Sequence, residues 1–255
     1  MTDTLDLDHL RQWIGRTEDK TDVVTAHLVA GLRSTLFQDI GQPKEGDAAP
    51  FTTHWCLTLP VSPLSGNGPD GHPKRGGFLP PVPLPRRMWA GGEIHFIEPL
   101  RVGDTVTRHS TIKDVVVKSG STGTLCFVSV DHVFTTARGP AVRERHDIVY
   151  RDVPKDGKNA TPAKPAQALT AATRETHMAD PVLLFRYSAL TFNGHRIHYD
   201  LDYARDVEGY PGLIVHGPLI ATLLLDLARR QMPQLAVRRF EFKALHPLFH
   251  IHSFP

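Results

Sequence analysis

Hydrophobic and polar positions along the chain change their period three times. Near the start, Leu10, Trp13 and Ile14 recur at helical spacing, and Val23, Val24, His27, Leu28 and Leu32 do so again. Thr21 or Asp22 is placed to cap the second helix, because either side chain can accept a bond from a first-turn N–H. Residues 61–85 are dense in proline and glycine, which neither a ladder nor a helix tolerates, so a long loop is expected. Strand-like segments follow at 93–96, 104–117, 123–136 and 141–150. Within them, residues 124–133 partly alternate apolar and polar, as a half-buried antiparallel strand does. Gly103-Asp104 and Ser119-Gly120 supply turn chemistry between strands.

The pattern then breaks. Residues 153–180 are rich in proline, alanine, glycine and lysine, offer little to bury, and read as a linker. They divide the chain into an N-terminal part, 1–152, and a C-terminal part, 181–255. In the second part Val182-Leu183-Leu184-Phe185-Arg186-Tyr187 reads as a strand. His216-Gly217-Pro218-Leu219 leads into a helix over 220–230, with Pro218 suited to its first position and Arg229 and Arg230 to its C-terminal end. Leucines and alanines fall on nearly every face of this helix, which is expected to be wrapped, most economically by a curved antiparallel sheet. Residues 237–242 alternate as a strand.

Composition narrows the class. A hydrophobic fraction of 40% and a charged fraction of 22% over 255 residues are those of a globular protein with a core. A net charge of +2 with basic residues dispersed gives no case for nucleic-acid binding. Apolar runs such as 219–225 are far short of the ~20 residues that span a bilayer. Two cysteines, Cys56 and Cys126, fit a reducing compartment better than a disulfide framework, and a cytoplasmic protein is the expectation. His250 and His252 are spaced like a pair of metal ligands, but no nearby Cys, Asp or Glu set completes a site.

Chemistry concentrates between residues 186 and 222. Asn193, His195 and His198 lie within six positions, and His216-Gly217 opens the buried helix. A helix N-terminus presents unsatisfied N–H groups and positive potential, a suitable place for a developing oxyanion. His198 can act as base, Asn193 can orient a water, and the Gly217 N–H can polarise a carbonyl. An amide holds water but cannot accept its proton, so the acid–base load falls on His198. His216 reads as a hydrogen-bonding residue beside the ligand, and Arg186 and Arg196 as cations able to meet a carboxylate or phosphate.

Two stretches carry a resemblance. Phe192-Asn193-Gly194-His195-Arg196-Ile197-His198 and Pro211-Gly212-Leu213-Ile214-Val215-His216-Gly217-Pro218-Leu219 resemble the signature of MaoC-like, R-specific enoyl-CoA hydratases. With residues 76–92, Gly-Gly-Phe-Leu-Pro-Pro-Val-Pro-Leu-Pro-Arg-Arg-Met-Trp-Ala-Gly-Gly, the wording is similar to a two-hot-dog branch of that family. That branch includes mesaconyl-C4-CoA hydratases, itaconyl-CoA hydratases and 3-hydroxyacyl-thioester dehydratases. The resemblance implies an α+β double hot-dog, antiparallel sheets wrapping a central helix in each half. It further implies a degenerate N-terminal half and a C-terminal half carrying the active site. In the C-terminal half, residues 232–255 are too few for the strands that should follow the helix, so its last strands are expected to be missing.

The implied activity is reversible hydration of an acyl thioester, carried on CoA or on acyl carrier protein, with no metal or redox cofactor. The implied position of the catalytic histidine is His198; where most of the family has an aspartate, this chain has Asn193. The reading leaves room for a homodimer. A thioesterase on the same fold and a non-catalytic acyl-thioester binder are the rival functions.

Overall fold

The computed structural model describes residues 5–120, 123–152 and 173–254. Most of the expected linker, residues 153–172, lies outside them, as does the tip at 121–122. A short helix α1 (Leu7–Arg11) precedes β1 (Thr17–Val23) and α2 (Ala26–Thr35). After a long irregular stretch come β2 (Arg86–Phe96), β3 (Thr105–Gly120), β4 (Gly123–Thr136) and β5 (Gly139–Arg151). The C-terminal part contains β6 (His177–Met178), α3 (Pro181–Thr191), α4 (Gly217–Gln231), β7 (Arg239–Lys243) and β8 (Ser253–Phe254).

Six strands form one sheet in the order β1-β3-β4-β5-β2-β7, every pair antiparallel. Alternation decides which face is buried. In β4, Cys126, Val128, Val130, His132 and Phe134 turn inward, and the residues that alternate with them are half-buried. Val29 of α2 packs on this inner face with Ile94, Val106, Phe134 and Val142. Two residues on the far side of the linker from β2, Phe240 and Phe242, extend the same core through β7, so one sheet spans both parts of the chain.

A second core holds the helices together. Leu32 and Leu36 from α2 and its end meet Leu183, Leu184 and Tyr187 of α3 and Leu219 and Leu223 of α4. At roughly 1.5–3 kcal/mol for each large apolar side chain fully buried, this cluster fixes where α4 begins. The helix is covered by α2 and α3 rather than wrapped on all sides, and Leu224 is 48% exposed.

Three local expectations are corrected. Residues 182–187 are not a strand: they lie in α3, where Asp180 accepts a bond from Leu183 N at 2.8 Å and Pro181 takes the first position. A short apolar run cannot separate strand from buried helix by period, and the Asp-Pro start decides it. The cap of α2 is Thr25, whose Oγ1 accepts from Leu28 N at 3.0 Å, whereas Thr21 and Asp22 sit in β1 paired with β3. Residues 17–23 alternate in burial along their length, and that period of two claims them for the sheet. Gly217, not Pro218, is the first residue of α4. Cys56 and Cys126 are both buried, free thiols, and no described helix is long and apolar enough to cross a membrane.

Candidate active site

The site is assembled where α3 ends and α4 begins. Phe192 closes α3 in the left-handed conformation (φ 48°), and Asn193 N returns to Ser188 O at 2.8 Å. The chain turns and enters a short 3-10 turn, Arg196–His198, that buries Ile197 and His198. Asn193 Oδ1 accepts from His195 N at 3.0 Å, which is the turn geometry an Asn-Gly pair favours. That bond uses one lone pair of the oxygen; the amide nitrogen brings the N–H donors that can hold the oxygen of a water.

His198 faces a backbone carbonyl. Its Nδ1 lies 2.7 Å from Ile214 O. A carbonyl only accepts, so Nδ1 carries the proton and donates it there, leaving the lone pair on Nε2. Burial pushes the pKa down to about 4, with the Ile214 bond opposing the fall and the charge of His72 adding to it. The ring is therefore neutral near pH 7, a base held in one tautomer. Beneath it, the His216 ring stacks at 3.7 Å between centroids and 19° between planes. His216 is the residue from which α4 starts, and its Nε2 meets Ser188 Oγ of α3 at 2.9 Å. Burial, then the neighbouring histidines, holds His216 well below its ordinary pKa. His198, His216 and Gly217 are thus brought together by the junction of α3 and α4.

Gly217 is glycine for no reason found within the protein. It does not have a positive φ, and a Cβ built on it would meet nothing within 4 Å. The space beside the first turn of α4 is open.

Of the two cations read from the sequence, Arg196 is engaged within the fold. Its Nε and Nη2 donate to Asp200 Oδ2 at 2.9 and 2.8 Å, its Nη1 to Pro69 O at 3.1 Å, and the guanidinium lies over Tyr203. Arg186 is on the exposed face of α3. His250, half of the pair spaced like metal ligands, accepts from Leu213 N through Nδ1 at 2.9 Å and is used in folding.

The structure adds groups that periodicity missed. The segment 69–72, inside the proline-rich loop, is fastened to the 193–198 segment: Arg196 N donates to Asp70 O at 2.9 Å. A Cβ on Gly71 would fall 1.9 Å from Gly194 O, so the two backbones meet only because glycine stands there. This contact carries His72 to within 4.2 Å of the His195 ring, which is 5.5 Å from His198. Asp70 accepts from His72 twice, from its backbone N at 3.1 Å and from Nδ1 at 3.2 Å. Asp70, His72 and His195 each offer a ligand atom within 4.8 Å of the others, a donor set able to hold a cation. His72 and Asp70 also line a cavity of ≈ 510 Å³ with Lys74, Arg75, Arg86, Arg87 and Glu208 among its other walls, four cations against two carboxylates. Pro69-Asp70-Gly71-His72 reads locally as a turn; its partners lie about 125 residues away, beyond the reach of any local period.

Comparison with known proteins bears on this arrangement. The sequence signature described as "Hydroxyacyl-thioester dehydratase type 2" matches residues 52–250. The mesaconyl-C(4)-CoA hydratase of Chloroflexus aurantiacus is 44% identical over 242 residues, 95% of this chain and 86% of that protein. The chain belongs to the hydroxyacyl-thioester dehydratase type 2 family. Within that family, the mitochondrial type 2 dehydratase of Schizosaccharomyces pombe is 29% identical over 219 residues, covering 77% of this chain and 73% of its own. A MaoC-like dehydratase from Phytophthora capsici superposes with a TM-score of 0.68 at 15% identity, over 98% of this chain and 86% of that one. At that identity the likeness speaks for the fold alone, and it bears out the α+β hot-dog class read from the signature of the family.

Proposed function

We propose that the protein reversibly hydrates an enoyl thioester, with His198 as the base that takes the proton of water. The reaction class follows from the family: this is an acyl-thioester hydratase or dehydratase. The observation that carries the residue assignment is the Nδ1–Ile214 bond, which leaves an unprotonated Nε2 on a ring held neutral by burial. In hydration, water held by the Asn193 amide gives a proton to Nε2 while its oxygen bonds the β-carbon. The electron pair of the double bond moves toward the thioester carbonyl, and the open first turn of α4 at Gly217 is the place for that oxygen. His216 supports the His198 ring from below.

The acyl group in this reading is a small dicarboxylate. Two things support it: the 44% identical relative is named for mesaconyl-C(4)-CoA, and the cavity beside His72 carries an excess of cations. The reading keeps the C-terminal part as the bearer of the site and a homodimer as its assembly, the latter decided by light scattering in solution.

The test is loss of the enoyl-thioester absorbance band of mesaconyl-C4-CoA and crotonyl-CoA, with release of free thiol followed in parallel. Hydration without thiol release is expected, and His198→Ala should abolish it with the fold retained at a somewhat lower melting temperature. Unchanged turnover in that variant ends the assignment; thiol release by the wild type would make the protein a thioesterase.

A further inference from the structure

The segments 69–72 and 193–198 meet at three side chains that hydration by His198 does not use. Asp70 and His72 come from one turn of the proline-rich loop, and His195 from beyond the linker. The ring of His195 stands 4.2 Å from that of His72. Its backbone N is bonded to Asn193 Oδ1, but neither ring nitrogen makes a hydrogen bond among the described residues. An imidazole taken from water with nothing to bond is unfavourable unless a ligand or a water completes it. Burial is the first cause holding both rings below the ordinary imidazole range, so near pH 7 each is neutral, the form that ligates a metal.

The donor atoms are spaced like ligands. In a four-coordinate zinc site, bonds of about 2.0–2.1 Å put neighbouring donors about 3.3 Å apart. Asp70 Oδ2 and His72 Nδ1 are 3.2 Å apart, one edge of such a polyhedron as they stand. That separation serves a hydrogen bond with the ring proton on Nδ1, and a bridging cation with the proton on Nε2. The three donors all lie within 4.8 Å of one another, so a side-chain rotation of His195 closes the third corner. Backbone contacts hold the two segments together without an ion. Arg196 N donates to Asp70 O at 2.9 Å, and the glycine at 71 lets its turn lie against Gly194 O. Asp70 and His72 also line the ≈ 510 Å³ cavity, which gives an ion its way in and leaves a fourth position for water.

We propose that Asp70, His72 and His195 form a binding site for a divalent transition-metal ion, which clips the 69–72 segment to the segment that carries His198. Two imidazoles and one carboxylate suit Zn²⁺, Co²⁺ or Ni²⁺ over Mg²⁺ or Ca²⁺, which prefer oxygen ligands. A single carboxylate neutralises only part of the ion's charge, and Arg87 and Arg75 act on His72 from the same surroundings, so the ion is held reversibly. The ion takes no part in the hydration steps, and the inference goes beyond the hydratase reading without resting on it. Because the ligands come from both parts of the chain and converge only when it is folded, occupancy raises the melting temperature.

The test uses the whole protein, freed of metal with a chelator and dialysed against ZnCl₂ or CoCl₂. Wild type is expected to take up about one Zn²⁺ per chain, and Co²⁺ to give the visible absorption of a four-coordinate nitrogen–oxygen site. His72→Gln, His195→Gln and Asp70→Asn should each weaken Zn²⁺ binding by about tenfold or more. His195→Gln should also lose the rise in melting temperature that Zn²⁺ gives the wild type. Circular dichroism identifies a variant that does not fold, and the remaining ones then decide. His252→Gln, at the other histidine pair spaced like ligands, should bind as wild type does. Absence of Zn²⁺ uptake by the wild type overturns the proposal. So does affinity within about threefold of wild type in the folded ligand variants, or loss of binding in His252→Gln. None of these readouts is hydration, so a wild type that binds Zn²⁺ and hydrates no enoyl-CoA overturns the hydratase reading alone.

Discussion

Gly217 separates what a residue does for folding from what it does for a ligand. It begins α4, has an ordinary backbone conformation and leaves its Cβ direction empty. Alanine is the better helix former by up to about 1 kcal/mol and meets no clash here, so Gly217→Ala should match or exceed the wild type in thermal stability. The added methyl occupies the space assigned to the thioester oxygen, and kcat/KM should fall by about 10²-fold. Calorimetry and the hydration assay together check it: a variant as active as wild type would show that nothing binds beside that turn. At the same scale, His198 titrating at about 4 has a kinetic consequence. Its lone pair stays available well below the ordinary histidine range, so the acid limb of kcat/KM that reports this base should lie nearer pH 4 than 6.5, read wherever the fold persists. His198, His216 and Gly217 were legible because their spacing puts a histidine and a helix start on one signature. Asp70, His72 and Ser188 were not. Their roles come from contacts across the chain, and nothing in a Pro-Asp-Gly-His turn says which segment it will lie against.

Elements place these groups by how they start and stop. α3 is set by Asp180 and Pro181 at one end and by left-handed Phe192 at the other. Between them, Tyr187 and Ser188 come to lie under His216. The apolar run that suggested a strand holds a buried helix instead, a case where period is silent and the capping pair decides. β3, β4 and β5 were read within a few residues of their bounds because alternation and turn glycines act locally, as Gly103 shows at φ 94°. The segment 69–72 was legible only as loop, yet it behaves as a strap. Gly71 sits at φ 88°, and a Cβ there would run into Gly194 O. Gly71→Ala should therefore lift the strap from the 193–198 segment, cutting hydration strongly while the six-stranded sheet, which it does not touch, survives. Retained far-ultraviolet circular dichroism with at least tenfold lower kcat is the expected pairing. Full activity in that variant would show that the strap has no part in the reaction.

For the whole molecule, buried histidines dominate the response to acid. Burial is the first cause holding His72, His132, His195, His198 and His216 below the ordinary imidazole range, with neighbouring histidines adding to it at all but His72, where Arg87 and Arg75 do. Unfolded, each of these rings takes a proton near pH 6.5. Folded, His198 waits until about 4 and His195 until about 2. Between those limits the unfolded chain binds more protons than the folded one, so stability must fall as pH drops from about 6.5, and rise again on return to neutrality. Glu144 acts in the same direction at lower pH. Burial alone would raise its pKa, but His146 at 2.6 Å and His54 at 3.2 Å hold it well below the usual carboxylate range. A group with a depressed carboxylate pKa stabilises the fold above its unfolded value and loses that contribution as pH falls through the folded one. The histidine effect predicts a lower urea midpoint at pH 5.0 than at pH 7.5, with a similar slope if the unfolding remains two-state, and Glu144 a further fall only below about pH 4.5. His132→Gln removes one buried ring outside the 193–217 site, packed against Ser110 of the sheet, and should reduce that pH dependence without touching the 193–217 segment. An unchanged midpoint between the two pH values would mean these rings are already protonated when folded, and would remove the basis for a neutral His198.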